Sequence, residues 1–304
     1  MDSVIAWLLE GDVSIQYMTH RFLLCSNADL LMRLKERIAL EGFGARLLSR
    51  QSETGHWGLS YYQPKWTSTH YTLLDLKNLC APETLRPCRD MAKRMFHDCM
   101  LENGGLNLSR YEHASDVCVD GMALNYASYF CSEEPRLDRL VSFLLAEQKP
   151  DGGFTWDLQA DSGDPHTTIC VLEGFVQYSS SVGRETETLR AASGRAIEFL
   201  LKNGLFMQNA DPRFRKLAYP YRYRFDLLRI LEFFATERTA YDPRMRPAIA
   251  WLIDKQKSDG LWYLEHQHKG NVHFVLEEIG KPSRLITLKA LLILEYFRQL
   301  SDES

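Results

Sequence analysis

Five short clusters of polar and aromatic residues stand just before apolar helical runs, and these are the positions where this chain could do chemistry. They are Lys65-Trp66-Thr67-Ser68-Thr69-His70, then Glu112 to Asp116 continuing to Cys118 and Asp120, Asp164-Pro165-His166-Thr167, Tyr219 to Arg224, and Lys281 to Arg284. A helix N-terminus offers unpaired amides and the positive end of its dipole. Lys65, Arg222, Arg224 and Arg284 gathered on one rim would therefore bind an anionic head group. The competing expectation is that these arginines pair with acidic neighbours such as Asp226 and Glu278. His113, Cys118, Asp120 and His166 supply nitrogen, sulfur and oxygen donors, but no local ligand spacing joins them and no metal is assigned. Glu112, Asp116 and Asp164 are the carboxylates that a hydrolase or lyase would use, as such pairs can be distant in sequence. No phosphate-binding glycine loop, dinucleotide fingerprint or H-E-x-x-H segment occurs, so no cofactor is expected.

The elements that must position these clusters repeat along the chain. Gln51 to Trp57, Gln148 to Phe154 and Gln256 to Trp262 each read Q-x-x-x-G-x-aromatic, and each follows an amphipathic run: 39–49, 137–147 and 247–255. Weaker copies at Glu102 to Leu106 and Leu201 to Phe206 complete a series of glycines at 55, 104, 152, 204 and 260, spaced by 49, 48, 52 and 56 residues. Glycine ends a helix in the left-handed conformation, glutamine can reach orphan groups at helix ends, and the aromatic fills a seam. Apolar second helices follow over 67–79, 115–130, 166–178, 223–235 and 284–300, after further helices over 4–24 and 28–40. A helix pair that cannot bury its apolar face alone stacks on its neighbours, with the more apolar helices inside and the more charged ones outside. Trp57, Phe154 and Trp262 are expected in the seams. Trp66, Trp156, Tyr221 and Tyr223, beyond the markers, are expected to shape a cavity together with His70 and His166. His20, His56 and His97 fall on outer elements, and His266, His268 and His273 in an exposed loop.

Composition bounds the function. The chain of 304 residues is 45% hydrophobic and 25% charged, enough for a large packed core. Its formal charge of −4, with 36 scattered basic residues, argues against nucleic acid as a partner. No apolar stretch of about 18 residues appears, so the expectation is a cytoplasmic protein, at most peripheral to a membrane. Seven cysteines without a CxxC pair read as buried thiols.

The Q-x-x-x-G-x-W segments resemble the QW motif of squalene-hopene and oxidosqualene cyclases, and the helix pairs resemble the repeats of protein prenyltransferase β subunits. This resemblance covers residues 40–300. It implies an all-α fold, a single α/α toroid of about five to six helix pairs spanning 1–304, with 1–40 as N-terminal helices and 41–300 as the repeats. It also implies an apolar, isoprenoid substrate in the central cavity. Class II cyclases protonate an alkene with the middle Asp of D-x-D-D; Cys118-Val119-Asp120-Gly121-Met122-Ala123 keeps that Asp and the Ala. Asp120 is therefore the acid the resemblance implies, with Asp116 one turn earlier on the same face. The flanking carboxylates are missing. Prenyltransferases carry Val-Asp-Gly-Cys for zinc; here Met122 replaces the Cys, and a thioether is a poor zinc ligand. No D-D-x-x-D magnesium segment is present. Class II enzymes usually carry a second toroid, for which this chain has no room, so a smaller prenyl chain or another apolar ligand is expected. The alternative is a non-catalytic toroid that binds a lipid, peptide or protein.

Overall fold

The structure, a computed structural model, describes residues 2–109 and 115–302. Among the described residues, thirteen α-helices make up most of the regular structure, accompanied by four short 3-10 turns and isolated β-bridges. The helices are α1 (Asp2–Leu9), α2 (Val13–Phe22), α3 (Ala28–Ile38), α4 (Gly42–Leu48), α5 (Thr69–Asn78), α6 (Arg86–Cys99) and α7 (Val117–Phe130). They continue as α8 (Leu137–Ala146), α9 (Pro165–Val182), α10 (Glu187–Lys202), α11 (Leu227–Thr236), α12 (Arg246–Asp254) and α13 (Arg284–Asp302).

Helix character decides the layer. Along α6 only Cys88, Met91, Ala92, Met95, Phe96 and Cys99 are buried, a single stripe at i, i+3, i+4 and i+7 spacing. Along α7 every residue but Tyr129 is buried, which requires neighbours on all sides. The inner helices α2, α5, α7, α9, α11 and α13 form the ring of an α/α toroid. Helix α5 packs on α7, α7 on α9 and α11 on α13, while α13 returns to α2 and α4 bridges α2 to α5. Helix α11 is tied to α9 by Arg229, whose guanidinium meets the Glu173 carboxylate at 2.8 Å. The closest approach is between α7 and α9: a Cβ on Gly121 would stand 2.7 Å from the Val171 nitrogen, and one on Gly174 would stand 2.6 Å from the Gly121 carbonyl. Gly121 is thus required by packing.

The markers share one geometry. Gln51, Gln148 and Gln256 each donate their side-chain amide to the carbonyl of the marker glycine four residues on, at 2.8, 2.8 and 2.9 Å. Gln148 also reaches Ala192 O on the neighbouring α10. All five marker glycines have positive φ, between 58° and 96°. Gly55, Gly152 and Gly260 sit in the turn that the glutamine closes, several residues beyond the helix, and so are not the helix-ending residues the sequence suggested, whereas Gly204 directly follows the cap of α10 and does take that place. The N-terminal run over 4–24 is also divided. Asp12 caps α2 through Ser14 N and accepts Phe43 N from α4, breaking the run at Gly11. Among the described residues, no helix is long and apolar enough to cross a membrane.

Candidate functional site

The N-terminal ends of the inner helices open on one face of the ring, where most of the sequence-selected residues lie. Trp66 stacks on Tyr223 with ring centroids 6.1 Å apart and planes 8° from parallel. Tyr71 and His268 meet the same indole at 4.9 and 4.7 Å. The Lys65 ammonium lies over both Trp66 and Tyr223, and the Arg222 guanidinium over Trp66 and Tyr71. His70 is buried beside Tyr126, its Nε2 without a partner, and burial lowers its pKa to about 3. His166 accepts Phe225 N on Nδ1 and leans on Phe214 and Tyr223; burial lowers it to about 4. Tyr221 is buried under the guanidinium of Arg229 and the ammonium of Lys289. The structure therefore brings together Trp66, His70, His166, Tyr221, Arg222 and Tyr223.

Other expected members stand apart. Trp156 is 64% exposed and is not among the residues that line the mouth pocket described below. Arg284 stacks on Trp7 and donates to the Trp7 carbonyl, stapling α1 to α13 instead of joining a rim. Arg222 pairs with Asp75 and Arg224 with Asp211, so neither Asp226 nor Glu278 is the partner. The anion-binding rim is not assembled. His113 and Glu112 lie outside the described residues. Asp116 caps α7 through Cys118 N and Val119 N, and Asp164 caps α9 through Thr167 N. Cys118 and Cys170 are free, buried thiols. Among the described residues no three His, Cys, Asp or Glu side chains converge to hold a metal ion.

Asp120 is turned toward the seam. Its Oδ1 accepts Leu106 N, in the weak marker copy, at 3.1 Å, and its Oδ2 meets the Ser115 hydroxyl. In two other repeats a threonine occupies the same place, four residues past the helix N-cap. Thr168 accepts the amide of Phe154 at 2.9 Å, and Thr287 that of Trp262 at 3.1 Å; each returns its hydroxyl to the same residue's carbonyl. Burial pushes the Asp120 carboxyl well above the usual carboxylate range, which favours its protonated form. Ser115 has one proton and two acceptors within reach, Leu106 O and Asp120. A proton on Asp120 resolves the count by donating to Ser115, which donates in turn to Leu106 O. That proton is spent inside the seam.

The lumen is charged where an apolar lining was expected. Glu173 pairs with Arg229, and Glu232 with Lys289. Asn125 reaches Glu173. Burial lowers the pKa of Lys77, which lies within electrostatic reach of Glu173, Glu232 and Lys289. These charges come from α5, α9, α11 and α13. Tyr219 and Tyr221 both pack against the Lys289 ammonium, 5.2 Å from each ring centroid, and the neighbouring Arg222 takes a left-handed φ of 56°, costly for a side chain.

Between Pro220, Arg222 and the 267–276 segment is a pocket of about 160 Å³. Its polar side is Asp75, Arg222, Gln267, His268 and His273, and its apolar side includes Leu47, Val272, Phe274, Val275 and Leu276. Arg222 binds Trp66 O through Nη1 and Asp75 Oδ2 through Nη2, both at 3.1 Å. Burial pushes the Asp75 carboxyl up against the opposing pull of Arg222. Asp75, His268 and His273 escaped the sequence reading, which placed both histidines in an exposed loop. A carboxylate in the middle of the apolar run over 67–79 was the signal available, because a charge there must have a buried partner.

No family model and no curated relative matches the chain. Its backbone is similar to the crystal structure of a protein from Actinoplanes, at 16% identity and a TM-score of 0.46, covering 96% of this chain and 90% of that one. It is also similar to the type II terpene cyclase MstE from Scytonema, at 15% identity and a TM-score of 0.33, covering 88% and 98%. A variant of MstE in complex with geranylgeranyl dihydroxybenzoate, its substrate, gives 16% and 0.34, covering 87% and 96%. At that distance the chemistry of this chain has to be argued from its own residues.

Proposed function

We propose that this chain is a cyclase-shaped toroid that binds a small amphipathic molecule at its mouth and does not carry out acid-initiated cyclisation. The carrying observation is the lumen. The axis that would have to receive a polyprenyl chain holds the Glu173–Arg229 and Glu232–Lys289 pairs. Sliding a hydrocarbon past them would desolvate charges and return no hydrogen bonds. The mouth pocket has the opposite character on one wall. An isoprenoid unit or another short hydrocarbon packs there against Leu47, Val272, Phe274 and Leu276, while its polar end faces Asp75 and Arg222.

One observation favours catalysis, the protonated state that burial gives Asp120. Its hydrogen bonds point that proton to Ser115 and away from any open space.

The test uses the whole chain. Melting temperature is followed against short-chain alcohols of increasing length, alongside assays for cyclised products from polyprenyl substrates. Stabilisation that grows with chain length and disappears in Val275→Glu, a change at an exposed pocket position, is expected. Cyclised product that vanishes in Asp120→Asn would overturn the proposal.

A further inference from the structure

The protonation of the pocket's two histidines follows from their fixed partners. His268 Nε2 lies 3.1 Å from Tyr221 O, and a carbonyl can only accept, so Nε2 carries the proton and Nδ1 a bare lone pair. His273 Nε2 lies 2.9 Å from the Thr72 hydroxyl, whose own proton goes to Ser68 O at 2.9 Å. Nε2 of His273 is therefore also the donor, and Nδ1 again the acceptor. Burial lowers these imidazoles to about 3 and about 4, so both are neutral at ordinary pH. Gln267 donates one amide proton to Glu277 O and offers its carbonyl oxygen as an acceptor. Asp75, 7% exposed, has Oδ2 on Arg222 and Oδ1 without any partner. An orphaned buried carboxylate oxygen is costly, and that cost is relieved by a donor from outside the chain.

The polar wall is thus a set of acceptors around a compensated ion pair. The remaining charges facing it are positive: Arg50 acts on His273, Arg46 stacks on Phe274 at 3.7 Å, and Arg222 is shared with Asp75. An ammonium ligand would meet this basic rim, and a carboxylate would bring lone pairs against Asp75 and two bare imidazole nitrogens. We infer that the pocket selects a neutral hydrogen-bond donor, a small alcohol with a branched hydrocarbon tail, whose hydroxyl donates to Asp75. This rests on the pocket reading above and names its ligand class.

The experiment is calorimetric titration of the full chain with isopentanol, isovalerate and isopentylammonium, which share one tail and differ in head group. Isopentanol is expected to bind about tenfold more tightly than either ion, the worth of one paired donor. Asp75→Asn keeps an oxygen for Arg222 and replaces Oδ1 by an amide donor, so it should shift the preference toward isovalerate. His273→Leu removes one of the two bare imidazole nitrogens that oppose a carboxylate, without touching Arg222, and should narrow the preference of isopentanol over isovalerate, which keeps the test open if Asp75→Asn does not fold. Equal or tighter binding of either ion by the natural sequence overturns the inference and leaves the pocket reading standing. Binding of none of the three overturns both.

Discussion

At the seams, Trp57 and Trp262 each send their indole N–H to a leucine carbonyl ten residues earlier, at 2.8 Å in both repeats. At the mouth, four of the inner helices contribute different residues: Tyr71 and Asp75 from α5, Asp116 from the cap of α7, His166 from α9, and the Tyr219–Arg224 segment before α11. The seam repeats because every helix pair meets its neighbour through the same interface, so one solution serves each time. The mouth and lumen lie on the axis, where all repeats meet once. Identical residues there would set like charges or like bulk against each other. Side chains on the axis are consequently free to diverge, and the acceptor-rich pocket is found there.

The largest expected effect breaks the axis. Arg229→Met leaves the Glu173 carboxylate without its guanidinium in the buried ring and should cost about 3–5 kcal/mol of unfolding free energy, read by urea denaturation. A loss below about 1 kcal/mol would show that the axial pairs are no more than surface salt bridges. Next, Asp120→Ala should cost about 2 kcal/mol by opening the second seam, and Asp120→Thr should recover most of it, because threonine does this work for Phe154 and Trp262. Failure of Thr to recover stability would separate Asp120 from the seam and reopen the acid reading. Trp262→Phe, which removes only the bond to the Leu252 carbonyl and part of the ring, should cost about 1 kcal/mol.

A weaker effect is expected from pH. His166, His268 and His273 have folded pKa values of about 4, 3 and 4, below the ordinary 6.5. Their neutral forms are the ones the fold accepts, so their contribution is complete above the unfolded value and is lost as pH falls toward the folded values. Melting temperature should drop across that window, less steeply in His273→Leu. An unchanged slope would mean that the mouth admits the charged imidazole. Smallest of all, Trp156→Ala should change stability by under about 0.5 kcal/mol, as expected of an exposed side chain.

The seams were legible and the pocket was not, for reasons visible in single residues. Gln51, Gly55 and Trp57 make bonds local in sequence, so their types and spacing carry the geometry. Asp120 looked like chemistry because sequence shows that a carboxylic acid starts an apolar helix but not which way it turns; the nearby Leu106 amide decided that. His268 and His273 looked exposed because their segment is polar, and only contacts with Tyr221 and Thr72 place them inside.

The periodic markers and the contrast between striped and fully apolar helices were enough, by themselves, to determine an all-helical fold with an inner and an outer layer. Burial of apolar faces at a fixed period has few solutions. What lies on the axis was decided only by the tertiary structure, because Asp75, Glu173, Arg222, Arg229 and Lys289 find partners 56 to 147 residues away. Such pairings follow from ring closure and leave no local pattern in the chain.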